Sequence, residues 1–170
     1  NLVRADGSGD VGDLGHQFFV DGEAAGGVED HHVAELAPGE FDTPHSVAMD
    51  SRGRIFVADR SNSRIQIFDQ DGRFLDQWKQ FGRPSGVFID KNDTMYVADS
   101  QSNSKQNPGF TRGIRVGSAK DGKVTALIPF TEPDPEKNNN AGVEGVAADA
   151  KGGLWAAEVS TEMFKKYVKQ

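Results

Sequence analysis

The chain repeats itself, and a fixed period restricts its fold more than composition does. The stretch from Phe41, FDTPHSVAMDSRGRIFVADRSNSRIQIFDQDGRFLDQW, returns from Phe81 as FGRPSGVFIDKNDTMYVADSQSNS. Pro44 and Pro84, Asp50 and Asp90, and Asp59 and Asp99 each stand 40 residues apart. A third copy begins near Asn140 as GVEGVAADAKGGLWAAE, setting Asp149 and Glu158 each 59 residues beyond Asp90 and Asp99.

Each copy reads as strand, turn, strand, turn. Ser46 to Asp50 is a short apolar strand, Ser51 to Arg54 a polar turn with a glycine, and Ile55 to Asp59 a second strand rich in β-formers. Arg64 to Asp69 alternates as a third strand, Gln70 to Gly72 turns it, and Arg73 to Gln80 makes a fourth. Four antiparallel strands at a period near 40 describe a propeller blade, which buries both faces only against neighbouring blades. The expected fold class is all-β, a propeller with about three four-stranded blades in the chain. The 20 glycines and the absence of any apolar run beyond strand length agree with that class.

Residues 41–80 are read as one blade, 81–130 as a blade with a long loop, and 140–170 as an incomplete blade. In the last, Phe164 to Val168 supplies a third strand and no fourth follows. Residues 31–40 are expected to hold a closing strand. Residues 1–30 form a poorly readable segment, with Phe18-Phe19-Val20 as its apolar island and turn chemistry at Asp21-Gly22 and Gly26-Gly27. An open blade leaves an unpaired edge, and three blades do not close a ring by themselves. The expectation is a two-fold homodimer with strand exchange, three blades from each chain; the alternative is a fragment of a longer propeller.

The blade carries a specific resemblance. Leu36-Ala37-Pro38-Gly39-Glu40-Phe41 leading to Thr43-Pro44, then Val57-Ala58-Asp59, Asn62, Arg64-Ile65-Gln66-Ile67-Phe68 and Asp71-Gly72, resembles an NHL-repeat blade. Pro44-His45-Ser46, followed by Val57-Ala58-Asp59-Arg60 and Arg64-Ile65-Gln66, is similar to the peptidyl-α-hydroxyglycine α-amidating lyases and their bacterial relatives. The likeness is dense over Leu36 to Asp99 and looser to Gln170. It implies a six-bladed NHL-type propeller with a metal in its central tunnel, a histidine in the Pro-His context binding zinc, and an active-site arginine after the Val-Ala-Asp run. His45 and Arg60 stand at those two positions, whereas no segment matches the one carrying the family's active-site tyrosine.

In a four-stranded blade, the loop entering strand one and the loop between strands two and three lie at the same end. His45 and Arg60 therefore face the same mouth, and the insertions of the later copies, in Ser100 to Thr111 and around Thr131 to Asn140, fall there too. His45 corresponds to Ser85 and Glu144 in the other copies, so one chain offers one His and one carboxylate at this level. The candidate metal ligands are His45 and Glu144, with zinc the first choice of divalent ion and calcium the second. The candidate catalytic residues are Arg60, as a fixed cation for developing oxyanion charge, and Glu144, as general base. The plainer readings are a turn histidine bonded to backbone and an arginine in a surface ion pair. Asp59, Asp99 and Glu158 recur in every copy and are read as structural; Tyr96 and Tyr167 are read as packing.

These residues point to a metal-dependent hydrolase or lyase acting on a small polar substrate, ester-like, lactone, phosphoester or hydroxyglycine-like. The competing class is a non-catalytic propeller scaffold binding a peptide, sugar or protein. Nineteen Lys and Arg against 26 Asp and Glu give a net charge of −7, which disfavours nucleic acid and anionic membrane as partners. No apolar run reaches the roughly 20 residues a bilayer requires. Without cysteine there are no disulfides, zinc ribbons or thiol nucleophiles. The adjacent His31 and His32 would point to opposite faces of a strand. The chain opens on Asn1 with no signal-like segment, and its compartment is left unassigned.

Overall fold

The computed structural model describes residues 36–130, 142–159 and 162–168. These residues form strands and no helix, in three antiparallel sheets that follow one another along the chain. The first sheet contains β1 (Pro44–Met49), β2 (Ile55–Asp59), β3 (Arg64–Phe68) and β4 (Phe74–Trp78), in that order. The second contains β5 (Pro84–Ile89), β6 (Thr94–Asp99), β7 (Gly113–Ser118) and β8 (Val124–Pro129). The third contains β9 (Val143–Ala148), β10 (Leu154–Glu158) and β11 (Met163–Tyr167), and has three strands among the described residues. Each sheet is one blade, and β1, β5 and β9 lie side by side as the inner strands of successive blades.

The recurring aspartates explain why the turns form where they do. Asp50 Oδ1 accepts from the backbone N–H groups of Arg52 and Arg54, Asp90 Oδ1 from those of Asn92 and Thr94, and Asp149 Oδ1 from those of Lys151 and Gly153. One carboxylate thus satisfies two donors that the hairpin leaves unpaired. The fourth residue of each turn takes a left-handed backbone, Gly53 at φ 79°, Asp93 at 64° and Gly152 at 83°. In the middle blade, Asp93 turns its carboxylate to Ser51 of the first blade, accepting from the Ser51 N–H at 2.9 Å and its hydroxyl at 2.8 Å. The same residue therefore shapes one turn and ties it to the next blade.

The core lies between blades. Phe56, Ile65 and Ile67 of the first blade pack with Phe81, Met95 and Val97 of the second, all fully buried. Ala98 and Ile114 of the second pack with Val143, Leu154 and Ala156 of the third. Full burial of each large side chain contributes about 1.5 to 3 kcal/mol, so a blade is held by its neighbours more than by its own ladder.

At the end of the second strand, Asp59, Asp99 and Glu158 each hold a cation from the third. Asp59 is fully buried and takes Arg64 Nε at 2.7 Å, Asp99 takes Arg115 Nη1 at 3.1 Å, and Glu158 takes Lys165 Nζ at 2.7 Å. The structural role expected of these acids is the one they play. The closing strand expected within residues 31–40, at His31 to Leu36, lies outside the described residues apart from Leu36, and residues 37–40 that follow it form a turn. Pro38 brings no N–H and Gly39 takes φ 87°, and the carbonyls of Leu36, Ala37 and Glu40 are spent on Arg64. The rest of that segment, 31–35, lies outside the described residues, as do 1–30 and the second insertion at 131–141.

Candidate functional site

The registers of the inner strands share an irregularity. Pro44 pairs with Asp59 and Ser46 with Ala58, which leaves His45 unpaired between them. Pro84 pairs with Asp99 and Gly86 with Ala98, leaving Ser85. Val143 pairs with Glu158 and Gly145 with Ala157, leaving Glu144. A β-bulge re-aims the extra residue and frees it from the ladder. The three bulge residues are the three positions that the repeat aligned, and the close approach of the inner strands gathers them.

His45 Nδ1 lies 3.2 Å from the backbone carbonyl of Ser85, while His45 Nε2 lies 3.3 Å from Glu144 Oε2. A carbonyl only accepts, so the Ser85 contact takes a proton on Nδ1; a bare Nε2 and Glu144 Oε2 would then be two acceptors facing each other, an arrangement that only a proton or a cation between them satisfies. The Ser85 and Ser100 hydroxyls bond to each other, and the Ser100 hydroxyl donates to Glu144 Oε1 at 3.0 Å. That chain fixes one carboxylate oxygen and leaves Oε2 without a hydrogen-bond partner among the described residues. Arg60 Nη1 stands 3.7 Å from the same Oε2. The backbone bond expected of a plain turn histidine is present, and the second ring nitrogen faces an acid as well.

The structure therefore brings together all three residues singled out from the sequence, His45, Arg60 and Glu144. Two ligand atoms held about 2.0 Å from a zinc ion at a tetrahedral angle lie about 3.3 Å apart, so the His45–Glu144 separation fits two positions of such a site. Among the described residues no group of three or more His, Cys, Asp or Glu side chains gathers within reach of one ion. Among the described residues, one imidazole and one carboxylate thus meet at this level.

Arg83 was not foreseen as part of the site. It enters from the loop before β5, its side chain is buried, and its Nη1 donates to the Ser61 carbonyl at 3.2 Å. Burial, then the charge of Arg60, lower its guanidinium from the ordinary value, against the opposing pull of Asp99 and Asp42. Its repeat partner in the first blade is Thr43, which resembles it in nothing, so no periodicity marked it. Thr43 itself takes φ 56°, a strained position for a β-branched residue, two residues before His45.

The first insertion, Ser100 to Thr111, is tied to its own blade. Ser102 donates to Asp99 through both its N–H and its hydroxyl, Arg112 Nε donates to the Ser102 carbonyl, and Arg115 lies over the Phe110 ring at 4.8 Å. Tyr96 packs beside Phe88 with ring centroids 6.2 Å apart, and burial raises its phenol above the ordinary value.

Residues 41–68 match the family model described as the NHL repeat. The chain is 40% identical over 177 aligned positions to NHL repeat-containing protein 3 of Homo sapiens, an alignment taking in 93% of this chain and 48% of that protein, so the chain spans about half the length of this relative. It is 43% identical over 108 positions to peptidyl-glycine alpha-amidating monooxygenase B of Xenopus laevis, covering 56% of this chain and 12% of that protein. Among solved structures, the WD40 beta propeller domain of Doa1 superposes with a TM-score of 0.52 at 12% identity, over 73% of this chain and 36% of that one. Successive antiparallel sheets with one shared register, a repeat-model match covering most of the first, and these likenesses lead to one conclusion: the chain belongs to the NHL-repeat β-propellers.

Proposed function

We propose that this propeller is a metal-dependent hydrolase or lyase acting on a small polar substrate, ester-like, lactone, phosphoester or hydroxyglycine-like, at the mouth where the inner strands meet. The observation that supports it is one oxygen, Glu144 Oε2, faced by His45 Nε2 at 3.3 Å and Arg60 Nη1 at 3.7 Å. His45 and Glu144 would hold a divalent ion, zinc before calcium, and such an ion when bound polarises a carbonyl or phosphoryl oxygen or acidifies a water. Arg60 supplies a fixed cation to an oxygen that gains negative charge. The Ser85 carbonyl orients His45, and the Ser100 hydroxyl holds Glu144 by its other oxygen. Glu144 then serves as ligand or as the base that takes a proton from substrate or water.

The same reading includes a homodimer with strand exchange, in which a second copy brings further His45 and Glu144 side chains to the centre and the two chains together make a six-bladed ring. Partners of the nucleic-acid or membrane kind are not part of it.

Metal content of the purified full chain, measured by native mass spectrometry and elemental analysis, tests the centre directly. The expected result is a transition metal lost on chelation and lost in His45→Ala, together with turnover in a panel of esters, lactones, phosphoesters and a hydroxyglycine peptide. A metal-free protein whose binding of a peptide, sugar or protein is indifferent to chelator would favour the scaffold reading. That reading draws on the single imidazole and single carboxylate that meet at this level among the described residues.

A further inference from the structure

The turn between β5 and β6 departs from its two counterparts in a way that its own folding does not require. Asn92 stands where the first blade has Arg52 and the third has Lys151, and Thr94 stands where they have Arg54 and Gly153. With Asp93 between them they make Asn92-Asp93-Thr94, an Asn-x-Thr triplet whose middle residue is not proline. Of the eight asparagines in the chain, Asn92 alone has Ser or Thr two residues on, so the sequence marks a single position.

The hairpin closes without either side chain. Asp90 Oδ1 accepts from the Asn92 and Thr94 N–H groups at 2.8 and 2.9 Å, and the Asp90 N–H donates to the Thr94 carbonyl at 2.9 Å. The Asn92 amide and the Thr94 hydroxyl make no hydrogen bond to a described residue. An asparagine in a tight turn often bonds the backbone two residues on, and here Asp90 has taken that work. Asp93 directs its carboxylate to Ser51 of the neighbouring blade. Asn92 is left exposed at the tip, with Thr94 half-buried at the start of β6.

The tip is also clear of everything else the fold must do. β5 begins and β6 ends beside the bulge at Ser85, so the turn joining them lies at the other end of the blade from His45, Arg60 and Glu144. The core packs between blade faces, and Asn92 takes no part in it. A bulky polar group on Asn92 therefore extends into solvent past the end of the blade.

We propose that Asn92 is an N-glycosylation site and that the propeller carries one oligosaccharide at the end opposite its mouth. The donor is an oligosaccharide joined through C1 of its first N-acetylglucosamine to a lipid pyrophosphate. Asn92 Nδ2 forms a bond to that C1, the C1–O bond to the pyrophosphate breaks, and its electron pair leaves with the lipid pyrophosphate. The amide gives up one proton to a base, and no oxidant or reductant takes part. Transfer precedes closure of the hairpin, so the left-handed backbone of Asp93, φ 64°, places no demand on it. What the fold must supply is room afterwards, and the exposed tip supplies it. The inference goes beyond the metal centre and does not depend on it.

The test is expression of the full chain behind a cleavable secretory leader in cultured animal cells, with cleavage of the leader confirming entry to the lumen. Medium and cell lysate are both analysed by intact mass spectrometry, so a retained chain is read as well as a secreted one. The expected result is a single glycan-sized step above the mass of the same chain made in bacteria. Peptide N-glycosidase should remove it and, in heavy-oxygen water, leave Asn92 converted to a labelled aspartate. Asn92→Gln and Thr94→Ala should each abolish the step. Asn92→Gln removes no side-chain hydrogen bond to a described residue and serves as the variant that stays folded, checked by circular dichroism and the urea midpoint. A lumenal chain without a glycosidase-sensitive step, or a step that survives Asn92→Gln, would overturn the proposal. A urea midpoint lower with the glycan than without it would overturn its position clear of the core.

Discussion

Asp59 has four donors around it: the Asp42 N–H, Asn62, Arg64 and Gln66. Arg64 is 1% exposed, so neutralising Asp59 removes the buried carboxylate that its Nε bonds at 2.7 Å. Asp59→Asn should cost about 3 to 5 kcal/mol, read from the urea midpoint. The turn aspartates make a gentler prediction. Asp149 is lowered to about 2 from 3.8, chiefly by the Gly153 N–H, then by the Trp155 indole N–H, the Lys151 N–H and the Lys166 charge. A carboxylate depressed in the folded state stabilises it above the unfolded value, and that contribution disappears as pH falls from near 3.8 to about 2. The urea midpoint of Asp149→Asn should therefore fall less than that of the parent between pH 5 and pH 2; an equal fall would contradict the assignment. Asp93, lowered by its bonds to Ser51, adds to the parent's acid loss by the same sign.

At the scale of the strand, the decisive contact is between β5 and β9. A methyl group on Gly86 would come 2.4 Å from the carbonyl oxygen of Glu144, a backbone atom that does not step aside. Gly86→Ala should push β9 away, cost about 1 to 3 kcal/mol, and weaken metal binding by separating Glu144 from His45. The matching glycine of the third blade gives the control. Among the described residues a methyl on Gly145 meets only the Ala157 Cβ, at 3.6 Å, an ordinary contact. Gly145→Ala should leave the His45–Glu144 pair of its own chain in place and stay within about 0.5 kcal/mol of the parent in the monomeric state. Isothermal titration with zinc and urea denaturation of both variants separate the cases, and equal zinc affinity would sink the role given to the close approach.

Across the whole molecule, both ends of the row of blades are apolar. Val47 and Met49 on β1 are 65% and 57% exposed, and Phe164 on β11 is 70% exposed with its ring stacked on Trp155 at 5.0 Å. Blade faces in the middle of the row bury the same kinds of side chain, so these two faces are built for blade neighbours. In the proposed dimer, a second copy related by a two-fold axis would cover both at once. Sedimentation velocity at micromolar concentration should give a dimer that Phe164→Glu converts to monomer. A monodisperse parent monomer would overturn the dimer.

The sequence by itself determined the blade. A 40-residue period, β-rich runs and an aspartate at each turn are local signals, since one carboxylate and two nearby N–H groups close a hairpin wherever they occur. It also placed His45 and Arg60 at one mouth, because strand order alone decides which loops share an end. The sequence alone did not reveal the bulge that frees His45, Ser85 and Glu144 from their ladders, or the need for Gly86 that brings β9 close. Arg83 was equally hidden, for it has no counterpart in the other copies and matters only through what lies next to it. Those features arise from packing between blades, and the energies that set them belong to pairs of residues 40 to 100 positions apart. Only the tertiary structure decided that Glu144 meets His45 and Arg60.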